Sequence, residues 1–492
     1  MTALKMTIDK SNKISKINKE IYGHFSEHLG RCIYDGIFVG KDSPIPNING
    51  FRKDVVEAFK AIKLPVLRWP GGCFADTYHW MDGIGPQETR KKIVNINWGG
   101  VTEDNSFGTH EFLDFCELVG CEAYVSVNVG SGTVQEAVEW VEYMTSNAES
   151  PMTELRKKNG REKPWNVKYI GIGNENWGCG GSMTAEYYSD TYKRFGEFLR
   201  GPYQKIACGP SSGDYNWTNV MMDKCGGWGR MKGLSLHHYT IPTNNWGKKG
   251  SSTDFDKQEY YQTLSNTWFM ETLLRNHKAV MQRYDDVKDP KVGLCVDEWG
   301  IWTDVIPGTN PGFLYQQNSM RDAILASINL NLFNLHSDRV KMANIAQIVN
   351  VLQAIILTEG DKMVKTPTYH VFDMYQGHME AELVYSNVEN KLIDGVNYLP
   401  AVSQSVSVDA DGKMHITISN ASLDEEFEIE ALMPRAEYTS VCAKILTGEY
   451  NQCNTFEAPE AVKPECYDGV CLDGEKLTIK LPKCALVSIE LA

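Results

Sequence analysis

From about residue 18 to residue 380 the chain alternates short β-rich runs with helical stretches, and this alternation constrains the fold more than any other feature. Val55, Val56, Phe59 and Ile62 recur at helical spacing, and Pro65-Val-Leu-Arg-Trp69 then reads as a strand. The unit repeats. A helix marked by Phe112, Leu113, Phe115 and Leu118 leads into a strand at 123–128, and a helix at 134–144 precedes a strand at 167–173. Residues 186–200 read as helix, 205–208 and 233–239 as strands, and 266–285 as one helix before the strand that carries Glu298. Ile324, Leu325, Ile328, Leu332 and Leu335 stripe a further helix ahead of a strand at 339–344. With Ile21-Tyr-Gly-His24 the strand count reaches about eight, which favours a closed (β/α)8 TIM barrel over an open doubly wound sheet. No Gly-x-Gly-x-x-Gly turn follows a strand, which also argues against a dinucleotide fold.

After about residue 380 the pattern changes to two-residue alternation. Asp411-Gly412 sits between alternating runs as a hairpin signal, and 427–430, 477–481 and 486–491 alternate likewise. These runs predict an antiparallel β-sandwich of roughly 110 residues. The expected division is therefore a barrel at 18–380 and a sandwich at 381–492, with a strand added from residues 1–17.

A chain of 492 residues with 42% hydrophobic residues can bury a large core, and two domains are the default at this length. Its net charge of −14 argues against nucleic acid or an anionic membrane as partner. No stretch is apolar and long enough for a signal peptide or a membrane span, so the expected location is cytoplasmic. The 13 cysteines lack CxxC spacing and read as free, mostly buried thiols in a reducing compartment.

In a barrel the chemistry gathers at the C-terminal ends of the strands, and the polar clusters of this sequence fall there. Tyr169-Ile-Gly-Ile-Gly-Asn-Glu-Asn-Trp177 is a buried run that ends on Glu175, and Val292-Gly-Leu-Cys-Val-Asp-Glu298-Trp299 is a second run of the same build. Either glutamate alone would pass for a helix cap or a surface ion pair. Two of them at separate strand ends, each beside a tryptophan, are what acid/base and nucleophilic work on a glycosidic bond requires. Glu175 must be protonated to act as an acid, and an apolar setting raises a carboxyl pKa. Asn174 is placed to hold a sugar hydroxyl.

Arg68-Trp-Pro-Gly-Gly-Cys-Phe74 supplies a cation for a carboxylate, with Glu298 the expected partner, and a sharp Pro-Gly-Gly bend. Glu27 ends another strand, and Tyr239 of His237-His-Tyr239 is positioned to hydrogen-bond the nucleophile. The His pair lacks a third ligand at useful spacing, so no metal and no cofactor is expected. Trp98, Trp299 and Trp302 are candidates to wall the pocket.

Taken together and in order, Gly-His-Phe-x-Glu-His, Arg-Trp-Pro-Gly-Gly-Cys-Phe, Gly-Asn-Glu-Asn-Trp-Gly-Cys-Gly, Leu-His-x-Tyr-Thr, Asp-Glu-Trp and Ala-Asn-Ile-Ala-Gln-Ile-Val-Asn resemble the α-L-arabinofuranosidases of glycoside hydrolase family 51. The resemblance implies a (β/α)8 barrel with a C-terminal jelly-roll sandwich, retaining chemistry without metal, and a homo-hexamer acting on arabinose-containing oligo- or polysaccharides such as arabinan and hemicellulose. It implies Glu175 as acid/base and Glu298 as nucleophile. Glu27, Cys73, Asn174, Tyr239 and Gln347 become glycone contacts, Arg68 a support for the nucleophile, and Trp98 and Trp302 site walls. His238 stands where many relatives carry tyrosine, and the loop at 127–132 departs from the usual one; both bear on the leaving group. The family also holds β-1,4-glucanases, which is the alternative activity.

Overall fold

The computed structural model describes residues 2–286 and 289–492; Met1, at the head of the expected N-terminal strand, lies outside the described residues. Eight parallel strands close into a barrel in chain order: Gly23–Phe25, Val66–Trp69, Glu122–Val127, Val167–Ile172, Gln204–Ala207, Gly233–Thr240, Gly293–Ile301 and Val340–Ala346. Every neighbouring pair is parallel, which requires the helical crossovers that the sequence pattern supplies. Val66, Tyr124, Tyr169, Ile206, Cys295 and Met342 form their own buried cluster inside the barrel. These bulky side chains make it a packed core rather than a pore.

Two expected elements differ. Ile21 and Tyr22 belong to a 3-10 turn, Lys19–Tyr22, and the first barrel strand begins only at Gly23. The single helix expected at 266–285 is two, Lys257–Thr267 and Phe269–Met281, broken at Trp268. Helical periodicity persists across the break, so the pattern alone does not reveal it.

The rest of the chain builds a ten-stranded, mostly antiparallel sheet. The N-terminal strand Thr2–Lys16 lies in its middle, antiparallel to Glu382–Val388 and parallel to Phe427–Leu432. Leu4, Met6 and Ile8 point into the sheet's own core with Ile416, Ile429, Ile479 and Val487, so the alternation in the first residues reports burial on one face.

Barrel and sheet share the helix Met320–Leu335, which is buried along nearly its whole circumference. Its apolar residues serve the barrel. Asn331 and Asn334 turn the other way and donate to Ser403 Oγ and Ser405 Oγ at 3.0 Å each, while Tyr22 donates to Asn334 Oδ1 at 2.7 Å. A helix covered on both sides has to satisfy its polar groups internally, and these amides do so.

Candidate active site

The strand ends bring together five carboxyl groups, an arginine and a histidine, all of them buried except the partly exposed Glu175. Glu175 follows the Val167–Ile172 strand in a tight turn. Gly173 takes φ +79° there, and a Cβ on it would stand 2.2 Å from Asn176 Oδ1, so only glycine fits. The turn is held from below by Asp76. Its carboxylate accepts from the backbone N–H groups of Val129 at 2.7 Å, Gly130 at 2.8 Å and Asn174 at 2.9 Å. Burial lifts the Asp76 carboxyl to about 6 against the pull of these donors. Asp76 thus fixes the backbone that aims Glu175, and its role is invisible in a sequence where it is one acid among 63.

Glu298 lies on the Gly293–Ile301 strand and is held by two donors: Arg68 Nη1 at 2.8 Å on Oε1 and the Tyr239 hydroxyl at 2.8 Å on Oε2. Arg68 also donates from Nη2 to Asn174 Oδ1 at 2.5 Å and from Nη1 to the Asp297 carbonyl at 3.2 Å. Both contacts expected of Arg68 and Tyr239 are therefore present. Arg68 is 1% exposed; burial works against its charge, but Asp297 and Glu298 overcome that and raise its pKa.

Asp297 faces the same interior as Glu298, although neighbours on a regular strand point to opposite sides. Register shifts against both flanking strands between residues 295 and 299 supply the extra turn. Tyr124 donates to Asp297 Oδ2 at 2.7 Å, connecting the barrel's inner plug to the site. Despite burial, Arg68 and His237 hold the Asp297 carboxyl below its ordinary value.

His237 lies at the centre of this cluster. Its Nδ1 is 2.9 Å from Glu175 Oε1 and 3.5 Å from Glu298 Oε2, and its Nε2 is 3.2 Å from Asp297 Oδ1. Burial opposes its charge, yet Glu298, Asp297 and Glu175 together lift it to about 10. It is an imidazolium bridging three acids. Glu175, His237 and Glu298 present ligand atoms within 4.8 Å of one another. The sequence shows His237 only as half of a His pair; nothing in it predicts three carboxylate neighbours.

Glu27 accepts from Trp98 Nε1 at 2.8 Å, Gln347 Nε2 at 2.7 Å and the Phe74 N–H at 3.1 Å. The Pro-Gly-Gly bend makes this possible: a Cβ on Gly71 or Gly72 would lie 2.9 Å from Glu27 Oε1. Burial first, and then the charge on Glu298, push the Glu27 carboxyl up to about 7. Trp302 packs edge-on to Tyr239 with ring centres 5.1 Å apart. Trp299 does not wall the pocket. It is fully buried against Phe333 and Phe372 on the far side of the strand.

Cys73 corrects the reading of the cysteines as free thiols. It forms a disulfide with Cys179, 106 residues later, joining the loop after Arg68 to the loop after Glu175. Cys179 Sγ lies 3.6 Å from Glu175 Oε2, so a sulfur atom borders the Glu175 carboxyl. The pairing escapes a spacing argument because only barrel closure brings the two loops together. Eleven other cysteines are free, including the exposed Cys466 and Cys471.

Removing the His237 charge gives a pH test. His237→Gln keeps a donor near Glu175 and loses the imidazolium, so the Glu175 carboxyl titrates higher still and the alkaline limb of the rate profile moves to higher pH. The histidine is raised in the fold, so its stabilising contribution is complete below its ordinary 6.5 and disappears as pH climbs through about 10. Thermal unfolding followed from pH 6 to 10 will show this decline in the native protein and not in the variant; identical slopes refute the bridging role.

The family model described as the α-L-arabinofuranosidase 1 domain matches residues 58–259, and that of the α-L-arabinofuranosidase C-terminal domain matches 297–485. An intracellular exo-α-L-arabinofuranosidase of Bacteroides ovatus is 52% identical over 96% of this chain and 93% of its own length. Among solved structures, a family 51 arabinofuranosidase from Xanthomonas axonopodis pv. citri superposes with a TM-score of 0.97 at 45% identity over the whole of both chains. The Thermotoga maritima α-L-arabinofuranosidase, solved as an arabinose complex, gives 0.88 at 31% identity over 99% of each.

Proposed function

Since the chain belongs to the α-L-arabinofuranosidases of glycoside hydrolase family 51, we propose that it releases terminal non-reducing α-L-arabinofuranosyl residues with retained configuration, through a covalent intermediate on Glu298. It is a glycosidase of that specificity by family. The proposed part is the route and the division of labour.

One observation carries the route. An oxygen of Glu175 and one of Glu298 lie within 4.8 Å of each other, the short spacing of a nucleophile and an acid/base rather than the wider gap that admits a water. Glu298, steadied by Arg68 and Tyr239, attacks the anomeric carbon. Glu175, whose pKa burial raises against the pull of His237, gives its proton to the leaving oxygen. In the second step Glu175 takes a proton from water, which attacks the same carbon and frees arabinose. Glu27, Asn174, Gln347 and Trp98 form the pocket for the sugar itself. Cys73 borders that pocket as half of a disulfide.

The substrates proposed are arabinose-bearing oligosaccharides, the location cytoplasmic, as for the relative named intracellular, and the assembly the homo-hexamer implied by the family resemblance. Proton NMR of an aryl α-L-arabinofuranoside during hydrolysis tests the route. The α-anomer of arabinose should appear first and then mutarotate; initial release of the β-anomer would overturn retention.

A further inference from the structure

At the end of the barrel away from the glutamates, the strand starts enclose a second cavity of about 560 Å³. Its floor is the barrel's inner plug: Tyr169, Ile206, Cys295 and Met342 line it and also belong to the buried cluster that fills the interior. This packed layer separates the cavity from the catalytic site.

The charge of the cavity runs against that of the chain. Acidic residues outnumber basic ones 63 to 49 overall. Yet six lysines line the cavity, Lys16, Lys19, Lys168, Lys232, Lys291 and Lys341, against two carboxylates, Glu20 and Glu380. Both carboxylates are engaged. Glu20 accepts from Lys168 Nζ at 2.6 Å and from the Tyr169 hydroxyl at 3.0 Å, and Glu380 pairs with Lys16. Lys291 pairs with Asp289, and Lys19 stands 3.9 Å from Glu122. Among the described residues, neither Lys232 nor Lys341 forms an ion pair with a carboxylate; Lys341 Nζ donates to the Ser337 carbonyl at 2.7 Å.

These two lysines flank a single strand. Lys232 immediately precedes the strand Gly233–Thr240, Lys341 is the second residue of Val340–Ala346, and Gly293–Ile301 runs between them. The middle strand starts on a glycine, and a Cβ on Gly293 would stand 2.7 Å from Lys341 Cγ. Glycine therefore leaves room for the Lys341 stem and keeps the cavity open at this point. Burial lowers the Lys341 pKa despite Asp338 nearby, a cost that a bound anion relieves.

Ammonium groups act as point donors to phosphate oxygens, and the nearly double charge of a phosphate monoester matches two unpaired lysines. A cavity of this size admits a small molecule, while the net charge of −14 turns polyanionic chains away from the surrounding surface. We propose that the cavity binds a small phosphate monoester, its phosphoryl group between Lys232 and Lys341 and its carbon skeleton over the apolar floor. Lys16 ends the sheet strand Thr2–Lys16, so the ligand spans the joint between sheet and barrel and stabilises the fold.

Isothermal titration calorimetry with ribose 5-phosphate, inorganic phosphate and ribose, at matched ionic strength in chloride, tests this. Ribose 5-phosphate should bind at one site with a Kd below about 1 mM and raise the thermal midpoint as its concentration increases. Inorganic phosphate should bind at the same site more weakly, because it lacks the skeleton. Replacing both lysines, Lys232→Gln with Lys341→Gln, should weaken ribose 5-phosphate at least about tenfold. The same variant should keep kcat/KM for 4-nitrophenyl α-L-arabinofuranoside within about twofold of native, which verifies folding. Lys232→Gln alone, at an exposed side chain, should weaken binding about threefold. No saturable binding of ribose 5-phosphate, equal binding of ribose, or an affinity unchanged in the double variant would overturn the proposal.

Discussion

Replacing Glu298 with alanine should lower kcat by at least about 10⁴-fold, because the variant has no group to form the covalent bond. The loss should be chemical rather than structural. Alanine removes one of the two carboxylates paired with Arg68 and leaves Asp297 in place, so the cation keeps a buried counter-charge. Sodium azide provides the decisive readout. It enters the space vacated by the carboxylate and attacks the anomeric carbon on that face, giving an arabinofuranosyl azide of inverted configuration. In Glu175→Ala the glycosyl-enzyme still forms, and azide attacks from the opposite side to give the retained product. The two variants must therefore yield opposite anomers. A Glu298→Ala enzyme with native activity, or the same azide anomer from both variants, would show that the roles have been assigned wrongly.

Arg68→Met should have the largest effect on stability. Methionine approximates the volume of the stem, but it leaves Asp297 and Glu298, 1% and 5% exposed, with His237 as their one cationic neighbour. Breaking a buried ion pair by deleting one partner costs about 3–5 kcal/mol. Asn174 Oδ1 also loses its donor, which loosens the turn that carries Glu175. The expected result is a clearly lower thermal midpoint together with loss of activity. Adding Asp297→Asn to the variant should restore part of the stability but not the activity, because it removes the uncompensated charge without rebuilding the support for Glu298. A thermal midpoint unmoved by Arg68→Met would mean that the guanidinium does not neutralise these acids.

How much of this was legible beforehand depended on the range of the interaction. Alternation of strand and helix is local, so the barrel could be read from it, and Thr2–Lys16, where two-residue alternation reads as a strand, pairs within the sheet. The partners Arg68–Glu298 and Tyr239–Glu298 were expected because a barrel places all strand ends on one rim, so residues there meet whatever their separation in sequence. Where local geometry was irregular, the reading failed. The helix break at Trp268 leaves helical spacing intact on both sides. Trp299 looked like a pocket wall because it follows Glu298, yet it packs outward into the core against Phe333.

By itself the sequence determined the barrel and the sheet and singled out the two glutamates as candidates, because each is encoded in periodicity or in a short run at a strand end. Only the tertiary structure decided how those glutamates are tuned. The bulge that turns Asp297 inward, the imidazolium of His237 among three acids, the Asp76 carboxylate under the Glu175 turn and the Cys73–Cys179 bridge all depend on distances across the barrel mouth. Electrostatic and covalent coupling is set by separations of a few ångströms in space, and linear order carries no record of those until the barrel closes.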